Sequence, residues 1–252
     1  IAVALLGDYS IVDAGPAIWP LRAVKSPLEI ERLRKACHIN STAFERTLGS
    51  IYDGMLEMEI HQKLCIEMYT QGAEETLLNG VRSGPERYSQ GNSPPGYRPV
   101  APGEMIIMDG GPVYRGYYSD IIRQAIIGPP TSRQSDLYNV AVDTCYTGLD
   151  LIREGAIPEE ISRTVDSFAE RSRFSAHYRS AGWCGHSLGL TVHEPPMIEV
   201  GNRRPLQAGN VLAIEPDFLE EGVGVFGIEQ NVLVKEDGYE LLSPVDHGLW
   251  VI

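Results

Sequence analysis

Pro102-Gly-Glu-Met-Ile-Ile-Met-Asp109 and Ala208-Gly-Asn-Val-Leu-Ala-Ile-Glu215 repeat one pattern at an offset of 106 residues. Each has a glycine turn, a short apolar run suited to a buried strand, and a carboxylate at the run's end. Upstream, Ile51-Tyr-Asp-Gly54 followed by Glu59-Ile60 matches Ile152-Arg-Glu-Gly155 followed by Glu160-Ile161 at an offset of 101, with Leu48 and Leu149 leading in. A period this long is the mark of a duplicated unit. Helical spacing surrounds both copies. Leu28, Ile30, Leu33, Ala36, Cys37 and Ile39 follow the helix-start signal Ser26-Pro27, and Leu137, Val140, Ala141 and Thr144 follow Ser135. The chain therefore reads as two helix-helix-strand-strand halves, about 30–130 and 131–252, whose helices lean on a mainly antiparallel sheet. That is an α+β fold with pseudo-twofold symmetry. Residues 83–103, rich in proline and glycine, form a long loop expected to rim a site.

Composition narrows the function. The 252 residues are 43% apolar and 22% charged, the balance of a globular chain with a sizeable core. Twenty-one Lys and Arg against 34 Asp and Glu leave a formal charge of −13, which repels nucleic-acid backbones and anionic lipid and argues against both as partners. No run approaches the length of an apolar membrane span. Cys37, Cys65, Cys145 and Cys184 form no CxxC pair and read as reduced core thiols, so a cytoplasmic location is expected. The chain opens on Ile1 rather than Met, and the expectation is that a further part precedes it.

The strand ending at Asp109 passes Gly110-Gly111-Pro112, turns around Tyr114-Arg115-Gly116 and returns through Tyr117-Tyr118-Ser119-Asp120. As a hairpin symmetric about that turn, it would make Asp109 and Asp120 cross-strand neighbours. Glu215 and Glu229 flank Glu220-Glu221-Gly222 in the same way. Facing carboxylates at the ends of apolar strands repel one another and lose hydration, so each must neutralise or find a cation. One such hairpin could be a solvated acidic face; two related by a repeat point to one or two divalent metal ions. No Lys or Arg occurs in Met105–Asp109 or Val211–Glu215 to take that part. Of six histidines, His186 and His193 alone look placed, in Gly185-His-Ser-Leu-Gly-Leu-Thr-Val-His-Glu-Pro-Pro196. The small neighbours Gly185 and Gly189 suit close approach of His186 to a metal. Imidazole with carboxylates fits Mn, Fe, Co or Zn better than Mg or Ca.

At these residues the sequence resembles the pita-bread metallopeptidases: methionine aminopeptidase, aminopeptidase P and prolidase, with creatinase as a metal-free relative. The resemblance covers most of the chain and implies the pita-bread fold around a curved sheet. It implies that Asp109, Asp120, His186, Glu215 and Glu229 hold two divalent ions, Mn foremost with Co, Zn or Fe as alternatives. Asp109 would serve one ion, Asp120 and Glu229 would bridge, and His186 and Glu215 would complete the second. A metal-bridging hydroxide would be the nucleophile, with Glu215 as general base and His193 bonding the tetrahedral intermediate or leaving group. A homodimer is implied as well. Val12-Asp13 through Trp19, Arg22-Ala-Val-Lys25-Ser-Pro27 and Glu29-Ile-Glu-Arg-Leu-Arg34 resemble the entry from a creatinase-type N-terminal domain, so residues 1–25 are expected to be its linker and 26–252 the catalytic domain.

Three positions depart from the family, and the first two concern substrate. Gly96, in Ser93-Pro-Pro-Gly-Tyr-Arg-Pro99, stands where prolidase-like members carry histidine; Gly227-Ile-Glu229 replaces Arg-x-Glu. Gln124 follows Arg123 where threonine is usual. Tyr97 and Arg98 in the rim loop are the candidate replacements, an arginine there being able to clamp a carboxylate, with plain solvation as the alternative. The expected function is a dinuclear metal-dependent hydrolase cleaving an amide bond near the N-terminus of small peptides, in the manner of Xaa-Pro peptidases. The same site acting on a non-peptide metabolite as hydrolase or lyase is the second expectation, and a noncatalytic binding module the third.

Overall fold

The computed structural model describes residues 12–91 and 93–252. Of the expected linker, residues 1–11 lie outside the described residues, and helix α1 spans Gly15–Ala23. Helices α2 (Pro27–Leu48) and α3 (Glu57–Thr70) open the first half; α4 (Ser132–Leu149) and α5 (Pro158–Arg171) open the second. The start of α2 follows from local chemistry. Glu29 N donates to Ser26 Oγ at 3.4 Å, Ser26 N donates to Glu29 Oε2 at 2.8 Å, and Pro27 fills the first turn. Helix α4 begins earlier than the Ser135 signal because Thr131 and Gln134 make the same reciprocal cap. Ser135 sits inside the first turn, its hydroxyl donating to Thr131 O at 3.1 Å. Gly54 and Gly155 close the two helix-helix links with φ of 85° and 80°, a left-handed conformation that side chains resist.

Each half contributes three core strands rather than the expected two. In the first, β1 (Glu75–Ser83), β2 (Met105–Tyr114) and β4 (Ile121–Ile126) lie in that order, with the short β3 (Tyr117–Tyr118) paired to β2. In the second, β5 (Trp183–Ser187), β7 (Val211–Ile214) and β10 (Gln230–Lys235) are neighbours, flanked by β6 (Glu194–Glu199) and β11 (Gly238–Leu241). A separate hairpin, β8 (Asp217–Glu220) with β9 (Gly224–Gly227), hangs between β7 and β10. The terminal β12 (Trp250–Val251) adds the one parallel pairing among the described strands, against β4. The fold is the expected α+β pita-bread architecture.

Strand alternation sorts the core. On β2, Ile106 and Met108 join Phe44, Ile60 and Leu64 of α2 and α3, whereas Met105 and Ile107 join Val225 and Phe226 of β9. Each fully buried side chain of this kind contributes about 1.5–3 kcal/mol. Asp109 shares the parity of Met105 and Ile107, so packing aims its carboxylate toward the junction of the halves. There the two sheets touch through a backbone bond, Glu229 N donating to Ile122 O at 3.3 Å.

Candidate metal centre

Asp109 pairs with Ile122, not with Asp120. The hairpin tip is the two-residue turn Arg115-Gly116, with φ of 50° and 81°, between the paired Tyr114 and Tyr117. The true axis is therefore displaced from the apparent symmetry of the sequence. Asp120 comes just before the last pair, Gly110 with Ile121, so the same register carried one residue further sets it against Gly111 and diagonal to Asp109. Glycine is needed at 111, because a Cβ there would lie 1.8 Å from Ser119 O. Two asparagines hold the segment before β4. Asn40 Nδ2 donates to Gly110 O at 3.0 Å and to Ser119 Oγ at 3.1 Å; Asn231 Oδ1 accepts from Ser119 Oγ at 2.9 Å and from Asp120 N at 3.2 Å.

In the second half the expected opposition holds. Strands β7 with β10 and β8 with β9 follow one register, which sets Glu215 and Glu229 opposite each other in the gap between the two pairings. His186 lies on β5, paired with Ala213. Gly185 serves that pairing rather than a metal's approach, since a Cβ there would meet Ala213 O at 2.2 Å; Gly189 likewise makes room for the Glu194 carboxylate.

The side chains converge. Three overlapping groups, Asp109 with Asp120 and Glu229, His186 with Glu215 and Glu229, and Asp120 with His186 and His193, each bring one ligand atom per residue within 4.8 Å of the others. Asp120 Oδ1, both Glu229 oxygens and His186 Nε2 are buried without a hydrogen-bond partner among the described residues. His186 Nδ1 lies 3.1 Å from the Ser187 carbonyl, which can only accept, so Nδ1 carries the proton. Nε2, on the far side of the ring, then faces Glu215 Oε1 at 3.0 Å and Glu229 Oε1 at 3.8 Å, where a cation would be shared between them. Burial, then the Glu215 charge, lifts Asp109 to about 7, and burial with the neighbouring carboxylates holds Asp120 and Glu229 well above the usual carboxylate range. A set of hard oxygens and one imidazole, with orphaned atoms turned inward, fits divalent first-row metals.

Two buried arginines stand nearby. Arg123, fully buried on β4, spends its donors on the carbonyls of Ile122, Glu229, Val245 and Asp246 and on Gln230 Oε1. Arg82, on β1, was not singled out from the sequence, where a lone arginine in a strand carries no motif. His193 opens to solvent, its ring 4.0 Å from that of His186. Its loop is tied down by Glu194, which pairs with Arg22 and Lys25 and accepts from Thr191 N at 2.9 Å. Arg98 is engaged elsewhere, with Glu86, Glu104 and Ser83, and Tyr97 is 79% exposed. Gly96 N donates to Glu57 Oε2 at 2.9 Å, and a Cβ at 96 would press within 3.2 Å of that oxygen. None of the four cysteines forms a disulfide, and burial pushes Cys37 and Cys145 up to about 12.

A duplicated α+β fold with clustered carboxylates and an imidazole at the junction of its halves defines a metallopeptidase-type enzyme. Residues 31–236 match the metallopeptidase family M24, and the chain belongs to that family. It is 26% identical over 232 residues to the Xaa-Pro dipeptidase of Pyrococcus furiosus, covering 92% of this chain and 66% of that protein. An uncharacterised peptidase of Bacillus subtilis is 26% identical over 240 residues, or 95% and 67%. Among solved structures, prolidase from Thermococcus sibiricus superposes with a TM-score of 0.93 at 27% identity, over 100% of this chain and 68% of that one. The X-Pro aminopeptidase from Thermotoga maritima gives 0.90 at 28%, over 99% and 70%. The chain thus spans about two thirds of these relatives. No helix among the described residues is long and apolar enough to cross a membrane.

Proposed function

We propose that the chain is a dinuclear metal-dependent hydrolase that cleaves an amide bond near the N-terminus of small peptides, Xaa-Pro peptides first among them. The observation that carries this is the inward set of unpartnered buried atoms on Asp120, Glu229 and His186. Asp109, Asp120, His186, Glu215 and Glu229 would hold two divalent ions, manganese foremost, with cobalt, zinc or iron as alternatives. Ions bound there would polarise a scissile carbonyl and make water a usable nucleophile near neutral pH. Glu215, partly exposed and 3.0 Å from His186, would hold the proton that water gives up. Burial, then the neighbouring His186, lower the His193 pKa, and its ring would hydrogen-bond a carbonyl oxygen or a leaving amine. Residues 26–252 would form the catalytic unit, working in the cytoplasm as a homodimer, as the family resemblance implies.

One observation favours a second reading. Gly96 stands where prolidase-like relatives carry histidine, and its N–H holds Glu57, whose Oε2 would have to yield by a few tenths of an ångström to any Cβ there. A non-peptide amide is the alternative substrate on the same site. The test is metal content together with turnover of Xaa-Pro dipeptides, longer Xaa-Pro peptides and non-peptide amides after loading. Hydrolysis of the peptides, lost on chelation, is expected. A loaded protein inert toward every Xaa-Pro peptide would discard the peptidase reading. Failure to hold a stoichiometric ion after Mn, Co, Fe or Zn supplementation would discard the metal site.

A further inference from the structure

The strand pairings give Arg82 and His186 corresponding places in the two halves. Arg82 pairs with Ile107, two residues before Asp109; His186 pairs with Ala213, two residues before Glu215. Where the second half sends an imidazole toward the centre, the first sends a guanidinium. Arg82 is 4% exposed, and its Nε and Nη1 are buried without an acceptor among the described residues. A guanidinium stays protonated and has no lone pair, so it cannot ligate a metal, and a buried cation with idle donors is costly unless something fills them.

The surrounding charges are already committed. Asp109 and Asp217 attract Arg82, while Arg179 and Arg87 repel it. Asp217 holds Arg179 through both carboxylate oxygens, and Arg87 pairs with Glu57 at 3.1 Å. With the charge of Asp109 taken up by a metal, neither Asp109 nor Asp217 is left free for Arg82, whose Nε and Nη1 have no acceptor among the described residues. Asp217 also lies directly across the β8–β9 ladder from Gly227, where proline-specific relatives would carry an arginine on β9. Asp217 thus brings the Arg179 guanidinium, with its side chain 34% exposed, to the strand position opposite that gap.

We propose that Arg82 and Arg179 form an anion subsite beside Asp109 that holds a substrate carboxylate. The inference rests on the amide-hydrolase reading above and narrows it to short acidic amides, of dipeptide or N-acylamino-acid size, with the carboxylate close to the cleaved bond. Arg82 supplies buried, desolvated donors, and Arg179 closes the subsite from the solvent side. Charge-assisted bonds from two guanidiniums distinguish a carboxylate from a neutral amide of the same shape.

The test titrates manganese-loaded protein calorimetrically with L-proline and with L-prolinamide, for wild type, Arg82→Met and Arg179→Gln, with metal stoichiometry and melting temperature recorded alongside. Proline is expected to bind wild type about tenfold or more tighter than prolinamide, with that ratio collapsing toward one in either variant while both still load metal. Arg179→Gln, on a partly exposed loop, keeps the test valid should Arg82→Met fold poorly. Equal binding of the two probes, binding of neither, or an unchanged ratio in Arg179→Gln would overturn the subsite. Because titration needs no turnover, an intact ratio in a protein inert toward Xaa-Pro peptides would sink the peptidase reading and leave the subsite standing.

Discussion

In the second half, Glu215 and Glu229 face each other in the gap between two pairings of one register, and their N–H groups leave the ladder for Cys184 O and Ile122 O. In the first half, Asp109 and Asp120 are diagonal, and the segment bearing Asp120 leaves the ladder only because Gly111 lets it cross close and Asn40 and Asn231 hold its backbone. Clustered carboxylates are thus reached twice, once at a gap between two strand pairings and once by side-chain clamps. Duplication preserved where the acids point, while the means of pointing them diverged. The third strand of each half diverged further, to His186 in one and Arg82 in the other.

The largest effect that could break this equivalence lies in the inner acids. Asp120→Asn and Glu229→Gln are mates, each with buried, unpartnered carboxylate oxygen. Both are expected to lower kcat/KM by about 10²–10³-fold or more and to reduce the metal content. If elemental analysis and kinetics show one of them tolerated, the halves do not share the load and the centre is built mainly by the other.

Next in size is removal of the metal. Without it, Asp109 is held up to about 7 and Asp120 and Glu229 well above the usual range, so the folded chain binds more protons than the unfolded one. Stability from these groups is present below about pH 4, where unfolded carboxylates also protonate, and is lost as pH rises through the folded values. Bound cations replace those protons. The gap in melting temperature between manganese-loaded and EDTA-treated protein should therefore widen by several degrees from pH 5 to pH 8. A constant gap would mean that the carboxylates are ionised with no cation present.

These asymmetries mark where the sequence was legible. The acids, the two histidines and the pseudo-twofold order could be read because each is a local pattern: an apolar run ending in a carboxylate, or glycines around a histidine. Even the hairpin axis was nearly right, missing only the shift set by the Arg115-Gly116 turn. What could not be read were long-range partners. Asn40 reaches Gly110 across 70 residues and Asn231 reaches Asp120 across 111, and neither carries a local signal. Arg82 was invisible for the same reason. The lack of Lys and Arg in Met105–Asp109 and Val211–Glu215 says nothing of the strands beside β2, and Arg82 on β1 and Arg123 on β4 come from those. Arg98 failed in the other direction, because nothing local announces that Glu86 and Glu104 already hold it.

The smallest expected effect tests the repeat away from the site. Gly54 and Gly155 occupy matching helix-helix turns, both in the left-handed region, and nothing lies within 4 Å of where a Cβ would be added at either. With no clash to relieve, the cost of alanine is the backbone conformation alone, roughly 1–2 kcal/mol each. The turns belong to different helix pairs with no shared partner, so the double variant should lose the sum. Chemical denaturation of Gly54→Ala, Gly155→Ala and the pair measures this directly. Equal single costs would mean that the ancestral turn survived in both copies while the strands around the metal centre drifted apart. Unequal costs would locate the divergence in the helical scaffold too, and the symmetry seen in the backbone would then be one of shape without matched energetics.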